Sequence, residues 1–431
     1  MLHHTKQSPL LKTVLLLSLF HFLPSQAQTV TTLTGAGEGY ADGTLVTARF
    51  NKPMGVDTDQ AGNIYVADTY NDRIRKITPE GTVSSIAGST RGYADGSGAN
   101  AKFNLPMGVA VANDGTLYVA DSFNNRIRKI TQDGVATTLA GSGTSGGANG
   151  TGTAAQFYSP RAIIVGNDGN IYISEYNGHR IRKVTPEGVV TTLAGGGQGY
   201  MDGTGTSARF NHPKGLDMDA EGNIYVVDSD NQKIRKITSD GVVTTLAGSS
   251  AGYADGDGTD AKFQYPSGIA VDNLGNVFVT DTNNQRIRMV TPNGDVTTIA
   301  GGATTGTVNG TGTDARFNYP EGITIDVQGI LYIADFSNNR IRKIVEPLAK
   351  TETFSGSKVC LYPNPASNSV NVIAESILSY EVSIFDSNGR YLLSKKITGS
   401  ENIDISALQN GVYIVKLSTN KGETTRKLVK N

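Results

Sequence analysis

The sequence predicts an all-β protein, a six-bladed β-propeller followed by a small C-terminal β-sandwich. Three observations carry this. First, the basic motif NNRIRKI at 124–130 returns as NDRIRKI (71–77), NGHRIRKV (177–184), NQKIRKI (231–237), NQRIRMV (284–290) and NNRIRKI (338–344). Its first basic residues, Arg73, Arg126, Arg180, Lys233, Arg286 and Arg340, recur every 53 or 54 residues, the mark of a repeat architecture. Second, each unit holds four short β-branched or aromatic runs bounded by turn residues, and no run of ten or more has helical periodicity. Third, glycine supplies 52 of 431 residues while 38% are hydrophobic, so the glycine marks turns in a chain that still buries a core.

From the N-terminus, residues 1–27 read as a secretory leader. Lys6 and Lys12 open it, VLLLSLFHFL (14–23) is too short to span a bilayer, and Ser25-Gln26-Ala27 offers small cleavage-site residues. Residues 28–345 are the propeller. In the second unit the strands are GVAVA (108–112), TLYVAD (116–121), RIRKI (126–130) and ATTLAG (136–141), with NDG and QDG turns between them. Six four-stranded units at a fixed period form a propeller rather than a sandwich. The fourth-strand run occurs first at 29–35, ahead of any P-x-G, while the last unit lacks its own. TVTTLTG (29–35) is therefore expected to pair with 340–344 and complete the sixth blade, since an unclosed ring leaves two bare strand edges. A linker covers 346–358, and 359–431 reads as the sandwich, with LYPNPASNSVNV (361–372), YEVSIFDSNGRYLLSKKI (380–397) and NIDISALQNGVYIVKLS (402–418).

The recurring VAD, NNR-I and P-x-G-V-A-V segments resemble NHL repeats over roughly 29–345, a resemblance that implies a six-bladed ring. The YPNP opening, IFDSNGR, LQNGVYIVKL and the basic, apolar tail resemble the C-terminal sorting domain of the type IX secretion system of Bacteroidota. That resemblance implies passage through the outer membrane by the type IX machinery, removal of this domain, and release or attachment to surface lipopolysaccharide. No later segment approaches 18 apolar residues, so no transmembrane helix is expected. Cys360 is the only cysteine, which excludes an internal disulfide and a cysteine metal cluster.

A sixfold basic motif invites a nucleic-acid reading, but residues 28–345 hold 26 Lys and Arg against 31 Asp and Glu, where a phosphate binder is basic. The motif reads instead as scaffold. An acidic residue stands five positions before each first arginine, giving structural pairs Asp68–Arg73, Asp121–Arg126, Glu175–Arg180, Asp281–Arg286 and Asp335–Arg340, with Asp228–Lys233 in the fourth unit. Between units runs a Gly-rich insert, GYADG at 39–43, 92–96 and 252–256, GYMDG at 199–203, GGANG at 146–150 and GTVNG at 306–310, each leading to an anchoring Phe. Asp255, Asp257 and Asp260 have calcium-loop-like spacing without the distal Glu; a self-capped turn is the competing reading, and otherwise no cofactor is expected.

Catalysis has little to work with. Beyond the leader only His179 and His212 remain, and there is no G-x-S-x-G elbow. The expected function is binding or adhesion at the cell surface by an exported, monomeric propeller, with a protein or glycan ligand; the alternative is a metal-dependent hydrolase or lactonase in the central channel. Differences between copies gather at the middle of P-x-G (Met54, Met107, Arg161, Lys214, Ser267, Glu321) and in loops carrying Tyr70, Phe123, Tyr176 and Phe336. The candidate ligand residues are Tyr70, Phe123, Arg161, Tyr176, Lys214, Glu321 and Phe336, expected at one end of the ring. For the loop aromatics, packing onto the neighbouring insert is an equal reading. Converging carboxylates at the channel mouth would favour the enzyme; glycine, methionine and aliphatics would favour binding.

Overall fold

The computed structural model describes residues 28–345 and, towards the C-terminus, 359–362, 366–374, 380–386, 390–397, 401–419 and 422–430. The leader at 1–27, the linker at 346–358, and residues 363–365 and 387–389 of the YPNP and IFDSNGR motifs lie outside them.

Six antiparallel sheets make the ring. In the second blade, the inner strand Pro106–Val111 is followed by Leu117–Asp121, Arg126–Ile130 and Val135–Ala140, matching the runs read from sequence. The first turn closes where Gly115, at φ +79, donates its N–H to Ala112 O, a conformation that favours glycine. Five blades gain a short fifth strand that the four-strand reading missed. In the second it is Gly96–Ser97, from the Gly-rich insert, paired outside Val135–Ala140. The fifth blade keeps only a bridge there, Gly256 to Val296.

The ring closes as expected. Thr29–Thr34 runs antiparallel to Arg340–Val345, with Val30 opposite Ile344 and Thr31 opposite Lys343. Near the axis, inner strands abut so closely that a Cβ on Gly55 would stand 2.6 Å from Met107 O, and one on Gly215 2.5 Å from Ser267 O. Gly322 meets Met54 O in the same way where the sixth blade meets the first. Apolar packing fills the space between blades: Phe103, Val109 and Val119 of the second pack against Tyr65, Ala67, Ile74 and Ala87 of the first.

A second closure device was not visible beforehand. The loop between the second and third strands ends in a left-handed residue: Asp72, Asn125, His179, Gln232, Gln285 or Asn339, φ +49 to +59. Each offers a side-chain acceptor to the next blade's pre-proline N–H. Leu105 N–H reaches Asp72 at 2.8 Å, Ser159 reaches Asn125 at 3.0 Å, and His212 reaches His179 Nδ1 at 3.1 Å. Tyr265 reaches Gln232 at 2.6 Å, Tyr319 reaches Gln285 at 2.7 Å, and Lys52 reaches Asn339 at 2.8 Å. The last links sixth blade to first. Burial lowers the His179 imidazole pKa, with His212 adding to the effect, and the neutral ring keeps the lone pair this cap requires.

The C-terminal domain pairs a three-stranded sheet (Val359–Tyr362, Ser369–Ala374, Glu401–Asp404) with a four-stranded one (Tyr391–Ile397, Tyr380–Asp386, Gly411–Thr419, Gly422–Lys430). Val370, Val372, Val382, Ile384, Val415 and Leu428 form its core.

Candidate binding site

The repeated motif resolves into a clamp, built by a different arginine from the one expected. Arg75, Arg128, Arg182, Arg235, Arg288 and Arg342, the second of each R-I-R, are fully buried. Arg75 NH1 donates to Asp68 Oδ2 at 2.7 Å and to Arg49 O, while NH2 donates to Ala41 O and Asp42 Oδ1. Its guanidinium lies between the rings of Phe50 (4.9 Å) and Tyr40 (5.1 Å). Asp68 Oδ1 accepts Asn51 N–H, so acid, arginine and Gly-rich insert lock together.

The expected partners Arg73, Arg126, Arg286 and Arg340 sit across the ladder from Asp68, Asp121, Asp281 and Asp335, yet the carboxylates turn to the deeper guanidinium. The reason is depth. Arg73, at the rim, keeps partial exposure, lies 4.0 Å over the Tyr40 ring and donates to Gly88 O. Arg126 and Arg286 lie 3.9 Å over Tyr93 and Tyr253. Glu175, one methylene longer, pairs with both Arg180 (2.8 Å) and Arg182 (2.9 Å), in a blade whose insert lacks the tyrosine. Burial raises the Asp68, Asp121, Glu175, Asp228, Asp281 and Asp335 pKa values while the arginine and amide donors pull the other way.

The acidic residue of the insert belongs to the same clamp. Asp255 Oδ1 accepts from Arg288 NH2 at 2.6 Å and Thr298 Oγ1 at 3.0 Å, which neutralises it. Asp260 instead donates its N–H to Asp257 O. The calcium triad is thus not assembled, and among the described residues no three His, Cys, Asp or Glu side chains gather to hold a metal.

One end of the ring carries both the inserts and the second-to-third loops, since Tyr70 N–H bonds Asn51 O and Asn71 Nδ2 bonds Gly39 O. On the axis lies a cavity of about 100 Å³ lined by all six inner strands. The middle residues of P-x-G face this cavity, and two join across it: Arg161 of the third blade reaches Glu321 of the sixth at 2.8 Å. Lys214 Nζ donates to Ser267 Oγ at 3.1 Å, and burial pushes its amine down to about 8. Met54 and Met107 line it on the other side.

Around the mouth the aromatics form two groups. Tyr176 stacks on His212 at 4.4 Å, with Arg161 5.4 Å from its ring and His212 Nδ1 2.6 Å from Asp230. Tyr70 meets Phe336 edge-on at 6.1 Å beneath Lys52. Phe123 stands alone, 59% exposed, and Tyr70 is 43% exposed. Tyr176 and Phe336 occupy the place where other blades have Thr69, Ser122, Ser229 and Thr282; of these, Thr69, Ser122 and Thr282 donate their hydroxyls to the next blade's proline carbonyl.

Those two blades face each other, and the likeness extends round the ring. Asp57 and Asp217, Ala110 and Ala270, Asn149 and Asn309, and Tyr176 and Phe336 each stand 160 positions apart. The propeller therefore reads as a three-blade unit used twice. Met54/Lys214, Met107/Ser267 and Arg161/Glu321 break that twofold relation, and all six line the cavity.

Three residues further along the inner strands, Asp57 and Asp217 also line the cavity. Asp57 accepts the N–H groups of Thr58 and Val111; Asp217 accepts those of Met218 and Val271. Burial raises Asp57 to about 6 and Asp217 to about 7, with the Asp57 charge adding to the latter. The folded ring thus holds protons that the unfolded chain has released, and stability falls as pH rises from about 4 to about 7. Asp217→Ala, which copies Ala110 and Ala270, is expected to differ little in this respect at pH 4. Its advantage over the natural chain grows to roughly 2–4 kcal/mol at pH 8. Urea unfolding at both pH values checks this; a difference independent of pH contradicts it.

Comparison with known proteins agrees with this architecture. The NHL repeat model matches residues 50–77, 103–130, 263–288 and 317–344, a teneurin NHL domain model matches 196–255, and a secretion system C-terminal sorting domain model matches 360–431. Among curated proteins, NHL repeat-containing protein 2 of Bos taurus is 30% identical over 342 residues, covering 69% of this chain and 47% of the relative. Suppressor of quenching 1, chloroplastic, of Arabidopsis thaliana is 32% identical over 276 residues, covering 59% and 26%. The chain spans about half the length, or less, of these relatives. An auxiliary nutrient binding protein from Bacteroides thetaiotaomicron shares the fold at TM-score 0.58 and 19% identity, over 74% of this chain and 76% of that one. The chain is an NHL-repeat β-propeller with a C-terminal sorting domain of the type IX secretion system, which directs it to the cell surface or exterior.

Proposed function

We propose that the exported propeller is a binding module that takes a protein or glycan ligand at the channel mouth. The observation that carries this is the contrast between what the blades share and what they do not. Clamp and caps recur in every blade, whereas five different residue types fill the six equivalent positions on the axis beside Tyr176, His212 and Lys52. A rigid scaffold gains specificity where its copies differ. The mouth carboxylates are both engaged, Glu321 by Arg161 and Asp230 by His212, which gives a metal-dependent hydrolase less support. Asp57 and Asp217 lie deeper and already accept backbone N–H groups.

The test uses the full chain on glycan and protein arrays. A retained ligand is expected to lose at least tenfold in affinity when Arg161 and Glu321 are both replaced by Met, which leaves neither charge unpaired, or when Tyr176 becomes Ala. Unchanged affinity in both variants, with the fold intact, sinks the reading.

A further inference from the structure

The mouth is divided by chemistry. Around the ring, Arg161, Lys214 and Ser267 are consecutive, as are Glu321, Met54 and Met107. One half is cationic and hydrogen-bonding; the other has one carboxylate and two methionines. Arg161 spends its charge on Glu321, but among the described residues the Lys214 ammonium has no ion pair and only the Ser267 hydroxyl as hydrogen-bond partner. Asp230, the other nearby carboxylate, is held by His212.

We propose that the mouth takes the carboxylate end of an organic acid with an apolar body. Lys214 and Ser267 hold the carboxylate, Arg161 joins them on leaving Glu321, and the body lies on Met54 and Met107. This deepens the binding reading above and rests on it. A carboxylate supplies the counter-charge that Lys214 lacks, and a hydroxyl beside an ammonium gives it a second donor. Burial lowers the amine pKa and outweighs the pull of Glu321 and Asp230, which are each committed to another cation. Unbranched methionine side chains adapt to apolar bodies of varied shape. A cavity of about 100 Å³ admits an end group rather than a whole chain, so the body extends toward Tyr70 and Phe123 at the rim.

The experiment follows methyl NMR signals of the full chain labelled at methionine, titrated with hexanoate and, separately, hexanamide. Met54 and Met107 are expected to shift with hexanoate while Met201, on an insert, and Met289, in a third strand, stay still. Lys214→Met is expected to weaken hexanoate at least tenfold, and Glu321→Gln to strengthen it severalfold by freeing Arg161. Equal shifts with hexanamide overturn the carboxylate assignment, as does unchanged affinity in Lys214→Met with its methionine spectrum otherwise intact. If an array-identified ligand shifts Met54 and Met107 but hexanoate does not, the mouth is the site and the organic-acid class is wrong.

Discussion

Arg128→Ala is expected to cost the propeller about 3–5 kcal/mol, whereas Arg126→Ala, two residues earlier, is expected to cost about 1 kcal/mol. Arg128 is fully buried and bonds Asp121 Oδ2 at 3.0 Å, Lys102 O, Ala94 O and Asp95 Oδ1. Its removal leaves Asp121 fully buried without its cation, and four bonds to insert and strand are lost together. Arg126 gives up a stacking contact with Tyr93 and bonds to Asn124 O and Ser142 O at a partly exposed rim, where water can replace them. Chemical denaturation of the two variants separates these roles. Equal losses would return the pairing to the residue five positions from the acid.

Deleting residues 28–35 is expected to be as severe. Thr29–Thr34 is the fourth strand of the sixth blade, and its loss exposes Arg340–Val345 as an open edge. It also strips Val30, fully buried against Ile344 and Phe317, from the core between the last two blades. A sharp drop in melting temperature with concentration-dependent aggregation is the expected result. A monomer of unchanged melting temperature contradicts the closure scheme.

The architecture was legible because its signals recur. A strand present at 29–35 and missing after 345 marks the closure, and glycine-closed turns repeated at the same place in all six units mark the blades. The clamp partner was not legible, because Arg73 and Arg75 lie on the same strand face and differ in depth, which spacing does not encode. Nor were the interblade caps, whose residues look variable: Asp72, His179 and Gln232 share nothing in sequence except a side-chain acceptor. At the mouth, divergence at the middle of P-x-G pointed to Arg161, Lys214 and Glu321. That Arg161 meets Glu321 follows only once the third blade is known to face the sixth, and the 160-residue offset could have shown it. The same offset places Tyr176 with Phe336 rather than with Tyr70 and Phe123.

The central claim is that repetition serves the scaffold and difference serves binding. Hydrogen exchange of the full chain with and without an array-identified ligand tests it most directly. The account predicts slowed exchange in peptides spanning 51–55, 104–108, 158–162, 211–215, 264–268 and 318–322, with the DG turns at 113–115 and 132–134 on the opposite end unaffected. Protection confined to those turns, or to the third strands that carry the repeated arginines, would contradict it.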